Sequence, residues 1–165
     1  MPQEYKMKEA LKTAIHAKKN LMDFYKEAAA MTDHPGGKKV LLRLADEVRE
    51  NAKKFYDHYR WDDIDTFESL IDAPTRPDSA MIVSLRKALD KNIHERKARE
   101  LAMKEHEDLE KSFLLAAKNM VDPQVKAVFE EVAKDARNHY AIIESEYAHT
   151  MGMVHETDID TYVRE

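Results

Sequence analysis

The sequence predicts an all-α fold, a four-helix bundle made of two helical hairpins joined by a long crossover. Three observations predict it. The chain has only 3 Gly and 5 Pro, 36% charged residues and long runs of Ala, Leu, Lys and Glu, a balance typical of helix-rich proteins. Apolar residues recur at spacings of three and four through four long segments. The chain also repeats itself: at a constant offset of 88, residues 10–59 align with 98–147 without a gap. Eleven pairs are identical, namely Ala10/Ala98, Ala14/Ala102, Leu21/Leu109, Ala28/Ala116, Ala29/Ala117, Pro35/Pro123, Lys38/Lys126, Val40/Val128, Ala45/Ala133, Arg49/Arg137 and Tyr59/Tyr147. Ordinary composition would give roughly three or four by chance.

The first helix, near 6–31, carries the stripe Leu11, Ala14, Ile15, Met22, Tyr25 and Ala29. "TDHPGGK" (32–38) stops it and restarts the chain, because Pro after a turn-former cannot continue a helix. The second helix, near 37–60, carries Val40, Leu41, Leu44, Phe55 and Tyr59. In the crossover, 60–92, Trp61, Ile64, Phe67, Leu70 and Ile71 fit a short amphipathic helix ended by "APTRP" (73–77). Met81, Ile82, Leu85 and Leu89 fit another. Asn92, with Glu95 three residues on, resembles a capping box opening the third helix, near 93–120. That helix carries Ala102, Leu109, Phe113, Ala116 and Met120. After "MVDPQVK" (120–126) the fourth helix, near 124–150, carries Val125, Val128, Val132, Ile143 and Tyr147. Hairpin one is thus 6–60 and hairpin two 93–150, within one domain over 1–151 followed by a tail, 152–165, that receives no assignment.

Composition excludes several classes of function. A net charge of −5 gives no basic footprint for nucleic acid. No apolar run approaches the ~20 residues that span a bilayer, and "MPQEYKMKEA" has no signal-peptide pattern. The expected location is cytoplasmic. The absence of Cys removes disulfides, thiolate metal sites and any Cys-ligated iron module. Trp61, Phe67, Leu70, Ile82 and Leu85 offer more apolar side chain than two short helices should hide, and so predict a homodimer through the crossover.

The informative residues interrupt the stripes. Lys18 fills the slot between Ile15 and Met22, and its partner at offset 88, His106, lies between Ala102 and Leu109. "LADEVRENA" (44–52) and "VAKDARNHY" (132–140) place Val48 and Asn51 opposite Ala136 and His139. A pseudo-two-fold would gather these six positions in one central layer. With Ala14, Ile15, Phe24 and Tyr25 on the first helix, and Leu44 and Ala45 on the second, the layout resembles the rubrerythrin-like branch of the ferritin-like superfamily over about residues 8–148. The resemblance implies a ferritin-like bundle, di-iron as the family cofactor, and peroxide reduction or iron handling. In such proteins one Glu from each of two helices and a Glu-x-x-His from each of the others hold the irons.

Carried over position by position, the resemblance makes Lys18, Val48, Asn51, His106, Ala136 and His139 the ligand slots, and only His139 keeps the family's residue type. A lysine ammonium there would repel a cation. The first reading is therefore a pseudo-enzyme with a degenerate di-iron site, no catalytic residue, no assured cofactor and a structural or interaction role. The alternative is a single Zn or Fe rebuilt on His106 and His139 with Asp135 and Glu47, each acid four residues before a slot and near its face. Those acids could equally sit at the stripe edge in water. A third reading is an active di-iron oxidoreductase in a register shifted to Glu47, Asp135 and Glu107, which would turn each stripe by about 100°. Lys18 itself is expected inside the bundle, paired with Asn51, Glu47, Asp135 or a nitrogen of His106 or His139.

Overall fold

The computed structural model describes residues 2–31, 35–89 and 94–144, and within them every regular element is helical. In chain order these are α1 (Pro2–Met31), α2 (Pro35–Tyr56), α3 (Phe67–Ile71), α4 (Ala80–Leu89), α5 (His94–Asn119) and α6 (Pro123–Ile142). The four long helices fall on the four predicted stripes. At 30 residues, α1 runs about 45 Å at the helical rise of 1.5 Å per residue. It packs along α2, as α5 does along α6, and α4 bridges α1 and α5. The stripes close a single core, with Leu11, Ile15, Leu44, Val48, Phe55, Val132 and Ala136 all fully enclosed. Phe55, Phe113 and Phe129 interlock at ring separations of 4.8–5.8 Å, joining α2, α5 and α6 at one level of the bundle.

Helix ends follow local chemistry. Asp122 caps α6 by accepting from the backbone N–H groups of Gln124 and Val125, with Pro123 at the first position, where its missing N–H is no loss. Thr66 and Ser69 form a capping box at α3. That box starts α3 at Phe67, so the expected amphipathic helix from Trp61 shrinks to five residues, and Trp61 and Ile64 lie in irregular chain. α2 also ends at Tyr56, four residues earlier than expected. The chain beyond it is held instead by Asp63, which accepts from Tyr59 at 2.6 Å and from Lys12 of α1 at 2.8 Å.

Four of the five crossover residues expected at a dimer surface lie in or against the chain's own core. Phe67 and Ile82 are 4% and 0% exposed, and Trp61 and Leu70 pack against the core from its edge. Lys19 explains the close fit. It is 4% exposed, lies 2.9 Å from Asp23, and donates to the carbonyls of Ile71 (3.0 Å) and Ala73 (2.5 Å). One buried ammonium thus ties the end of α3 to α1. The side chain of Leu85, the Asn92 cap, and the tail 152–165 lie outside the described residues.

Candidate functional site

One polar layer takes a buried residue from each long helix: Lys18 from α1, Asn51 from α2, His106 from α5 and His139 from α6, at 0, 2, 0 and 4% exposure. Local sequence dictates this. Lys18 is three residues after Ile15 and four before Met22, both enclosed, so helical periodicity carries its Cβ inward. The same rule places Asn51 between Val48 and Phe55, His106 between Ala102 and Leu109, and His139 between Ala136 and Ile143. Val48 and Ala136 are themselves 0% exposed, so at these two slots the layer has an apolar wall.

The polar groups meet in part. Tyr25 OH is hydrogen-bonded to Nε2 of His106, and the two rings stack at 5.9 Å. The rings of His106 and His139 meet edge to face at 5.2 Å. Nε2 of His139 lies 3.9 Å from a carboxylate oxygen of Glu47, too long for a hydrogen bond. The Lys18 ammonium stands 5.5 Å from the Phe113 ring centre, a cation–π contact. In this layer, among the described residues, five buried atoms find no hydrogen-bond partner: Lys18 Nζ, Asn51 Nδ2, Nδ1 of both histidines and Glu47 Oε2.

Burial sets the electrostatics. It lowers Lys18 to about 8, with Asp135 and Glu105 pulling back more weakly in the other direction. It lowers His139 to about 4 and His106 well below the usual imidazole range, and the Lys18 charge pushes both further down. It also raises the Tyr25 phenol well above its ordinary value. At neutral pH the layer therefore holds a neutral phenol, two neutral imidazoles and one ammonium. The phenol O–H is a stronger acid than an imidazole N–H and the bare imidazole nitrogen the stronger base, so the favoured arrangement has the phenol donate to Nε2 of His106, whose Nδ1 then carries the proton.

The predicted candidates are brought together unevenly. His106 and His139 touch, and Glu47 reaches the edge of His139 with its side chain 40% exposed. Asp135 turns instead to Lys54, which binds it at 3.4 Å and Glu131 at 2.9 Å. Among the described residues, no three His, Asp or Glu side chains converge in a group able to hold a metal ion. Lys18 is internal, as expected, but its expected pairing is corrected. It reaches no acceptor on Asn51, Glu47, Asp135 or either histidine, because the opposing slots hold Val48 and Ala136, which offer none. Two participants escaped the reading of stripes, Tyr25 and Glu105. Tyr25 sits in the apolar stripe itself, and only its hydroxyl, an atom periodicity ignores, marks it as part of the layer.

A cleft of about 360 Å³ opens beside the layer, lined by Glu47, Glu50, Asn51, Lys54, Asp135, Asn138, His139 and Ile142. It gives Asn51 and His139 an aqueous approach, with His106 and Lys18 enclosed behind them. A second hollow of about 430 Å³, lined by Glu9, Lys12, Thr13, His16, Ala17 and Asn20, lies away from this layer on the α1 surface. No helix among the described residues is long and apolar enough to cross a membrane. A family model described as Rubrerythrin matches residues 9–147. No curated protein and no solved structure matches the chain.

Proposed function

The chain belongs to the rubrerythrin family, and from that premise we propose that it is a pseudo-enzyme of the family, its di-iron layer converted to a lysine-centred polar layer and its role structural or interaction-based. The observation that carries this reading is Lys18, a fully enclosed ammonium in a slot where the family pattern calls for a carboxylate. The residues present do not fit a di-iron centre. Two hard cations need several carboxylates to bridge them and offset their charge, whereas the six slots hold Lys18, Val48, Asn51, His106, Ala136 and His139. The shifted-register alternative would need Glu47, Asp135 and Glu107 inside, yet their side chains are 40, 29 and 52% exposed. Elemental analysis of protein purified without added metal or chelator, together with a peroxide-reduction assay, is the test. Two irons per chain with an oxo-bridge absorption band would overturn the proposal.

A second reading rests on a different observation, the adjacent His106 and His139 rings with both Nδ1 atoms unpartnered. They supply imidazole donors for a single Zn or Fe, with Glu47 at hand, although Lys18 opposes any cation there. Zinc bound at one per chain, and lost in both His106→Ala and His139→Ala, would establish it. The 88-residue repeat supports an origin of the two hairpins by duplication, testable by superposing 10–56 on 98–144. The homodimer expected from the crossover sequence, and a cytoplasmic setting, are also part of this proposal. Light scattering at tens of micromolar tests the first and fractionation of cells the second.

A further inference from the structure

Around Lys18 the layer is rich in hydrogen-bond donors, while the unpartnered acceptor Oε2 of Glu47 lies on the cleft side, 3.9 Å from His139. Lys18 Nζ carries three N–H groups, Asn51 Nδ2 two, and His106 Nδ1 one, and none finds an acceptor within the protein. The surrounding positions, Val48, Ala136 and Phe113, supply none either. A buried donor left unsatisfied is destabilising, and more so if charged, and the ammonium has no carboxylate bonded to it. Asp135 and Glu105 act on it only at a distance.

From this arrangement we propose that Lys18, Asn51 and His106 form a binding site for one small monovalent anion of halide or nitrate size, reached past His139 from the cleft beside α2 and α6. The inference rests on the reading that the layer carries no di-iron centre. Three features select the ligand class. A cation would meet the ammonium at close range. Water could fill the hydrogen bonds but would leave the charge of Lys18 unbalanced in a medium where Coulomb terms are strong. A larger or divalent anion would bring surplus charge toward Glu47, Asp135 and Glu105, and would have to fit between apolar walls at 0% exposure. One negative charge, small enough to sit among three donors, answers all of these conditions. His139 adapts to it, since its unpartnered Nδ1 can carry or surrender the proton by tautomeric exchange.

The test uses the full chain, with iron and zinc measured on the same preparations. Thermal unfolding is followed in chloride, bromide, nitrate and sulfate at fixed ionic strength, and crystals are soaked in bromide. The expected result is a saturable rise in Tm of a few degrees with the monovalent anions and none with sulfate, since a ligand that binds only the folded state stabilises it by mass action. An anomalous bromide peak should lie within hydrogen-bond reach of Lys18 Nζ. Lys18→Met should abolish both signals. Asn51→Asp, which keeps the lysine and places a carboxylate beside it, should abolish the anion response while raising Tm in anion-free buffer. Equal salt responses in wild type and either variant, or bromide absent from the layer, would overturn the anion site. Metal on the layer residues would overturn the reading beneath it, and a metal-free protein indifferent to anions would overturn this inference alone.

Discussion

The hydroxyl of Tyr25 and Nε2 of His106, 81 residues apart, are hydrogen-bonded in the bundle interior and tie α1 to α5. The bond decides the state of the layer. It fixes the tautomer of His106 and turns the other ring nitrogen, Nδ1, into a donor facing no acceptor of the protein.

Replacing Tyr25 by Phe should therefore act beyond one lost bond. Nε2 of His106 would become unpartnered, and the change should destabilise the fold by about 1–3 kcal/mol. Nitrogen NMR of the imidazole should show His106 protonated at Nδ1 in the wild type and a mixture of tautomers in the variant. Identical urea midpoints and identical imidazole spectra would sink this account of the pair.

Lys18 gives the sharpest stability contrast. Met fills the volume of its stem and removes the unpaired buried charge, so Lys18→Met should be as stable as the wild type or more so in anion-free buffer. Lys18→Ala also removes the charge but opens a cavity. It should be less stable than Lys18→Met by about 2–4 kcal/mol. Equal urea midpoints for the two variants would show that the stem is not packed.

The same residue predicts an alkaline signature. Its folded pKa, about 8, lies below the ordinary lysine value of 10.5, so the folded state sheds the proton first and stability rises with pH across that window. Below about pH 8 the full penalty is present. The difference in unfolding free energy between wild type and Lys18→Met should change by on the order of 3 kcal/mol from pH 8 to 10.5. Taking the difference removes the contribution of Lys12, Lys53 and Lys54, whose pKa values are raised. A flat difference would mean that the ammonium is solvated.

Acid should loosen the layer from the other side. Burial, with Lys18, Arg43 and Lys54, holds His139 in the folded chain down at about 4, against the ordinary imidazole value of 6.5. The unfolded chain thus binds the proton first, and stability is lost as pH falls from about 6.5 toward 4. His106 adds a drop of the same sign. Chemical denaturation at pH 7, 6 and 5 should show a steeper loss in the wild type than in His139→Gln, and parallel curves would contradict the shift.

Lys19 and Lys18 are neighbours with opposite circumstances. Lys19 is paired with Asp23 and bonded to two carbonyls of the crossover, so Lys19→Ala should cost about 3–5 kcal/mol by stranding a buried carboxylate. Hydrogen exchange should speed up at residues 67–73 before it does in α2. Protection unchanged there would show that the crossover is held by its apolar contacts alone.

The sequence by itself determined the helices and what they bury. Spacing of three and four placed Ile15, Met22, Leu44, Val132 and Ile143 inside, and the same spacing carried Lys18, Asn51, His106 and His139 in with them, because a helix fixes the direction of every Cβ whatever its side chain. The starts of α3 and α6 are written in Thr66, Ser69, Asp122 and Pro123. Tertiary structure decided the rest. Whether Lys18 met an acid, whether Asp135 turned inward or out to Lys54, and whether Phe67 and Ile82 covered the chain's own core or a neighbour depended on distances between elements dozens of residues apart. Periodicity fixes the face a residue occupies, but partnership also needs the neighbouring helix's rotation and height. Those were set by the packing of all the stripes together.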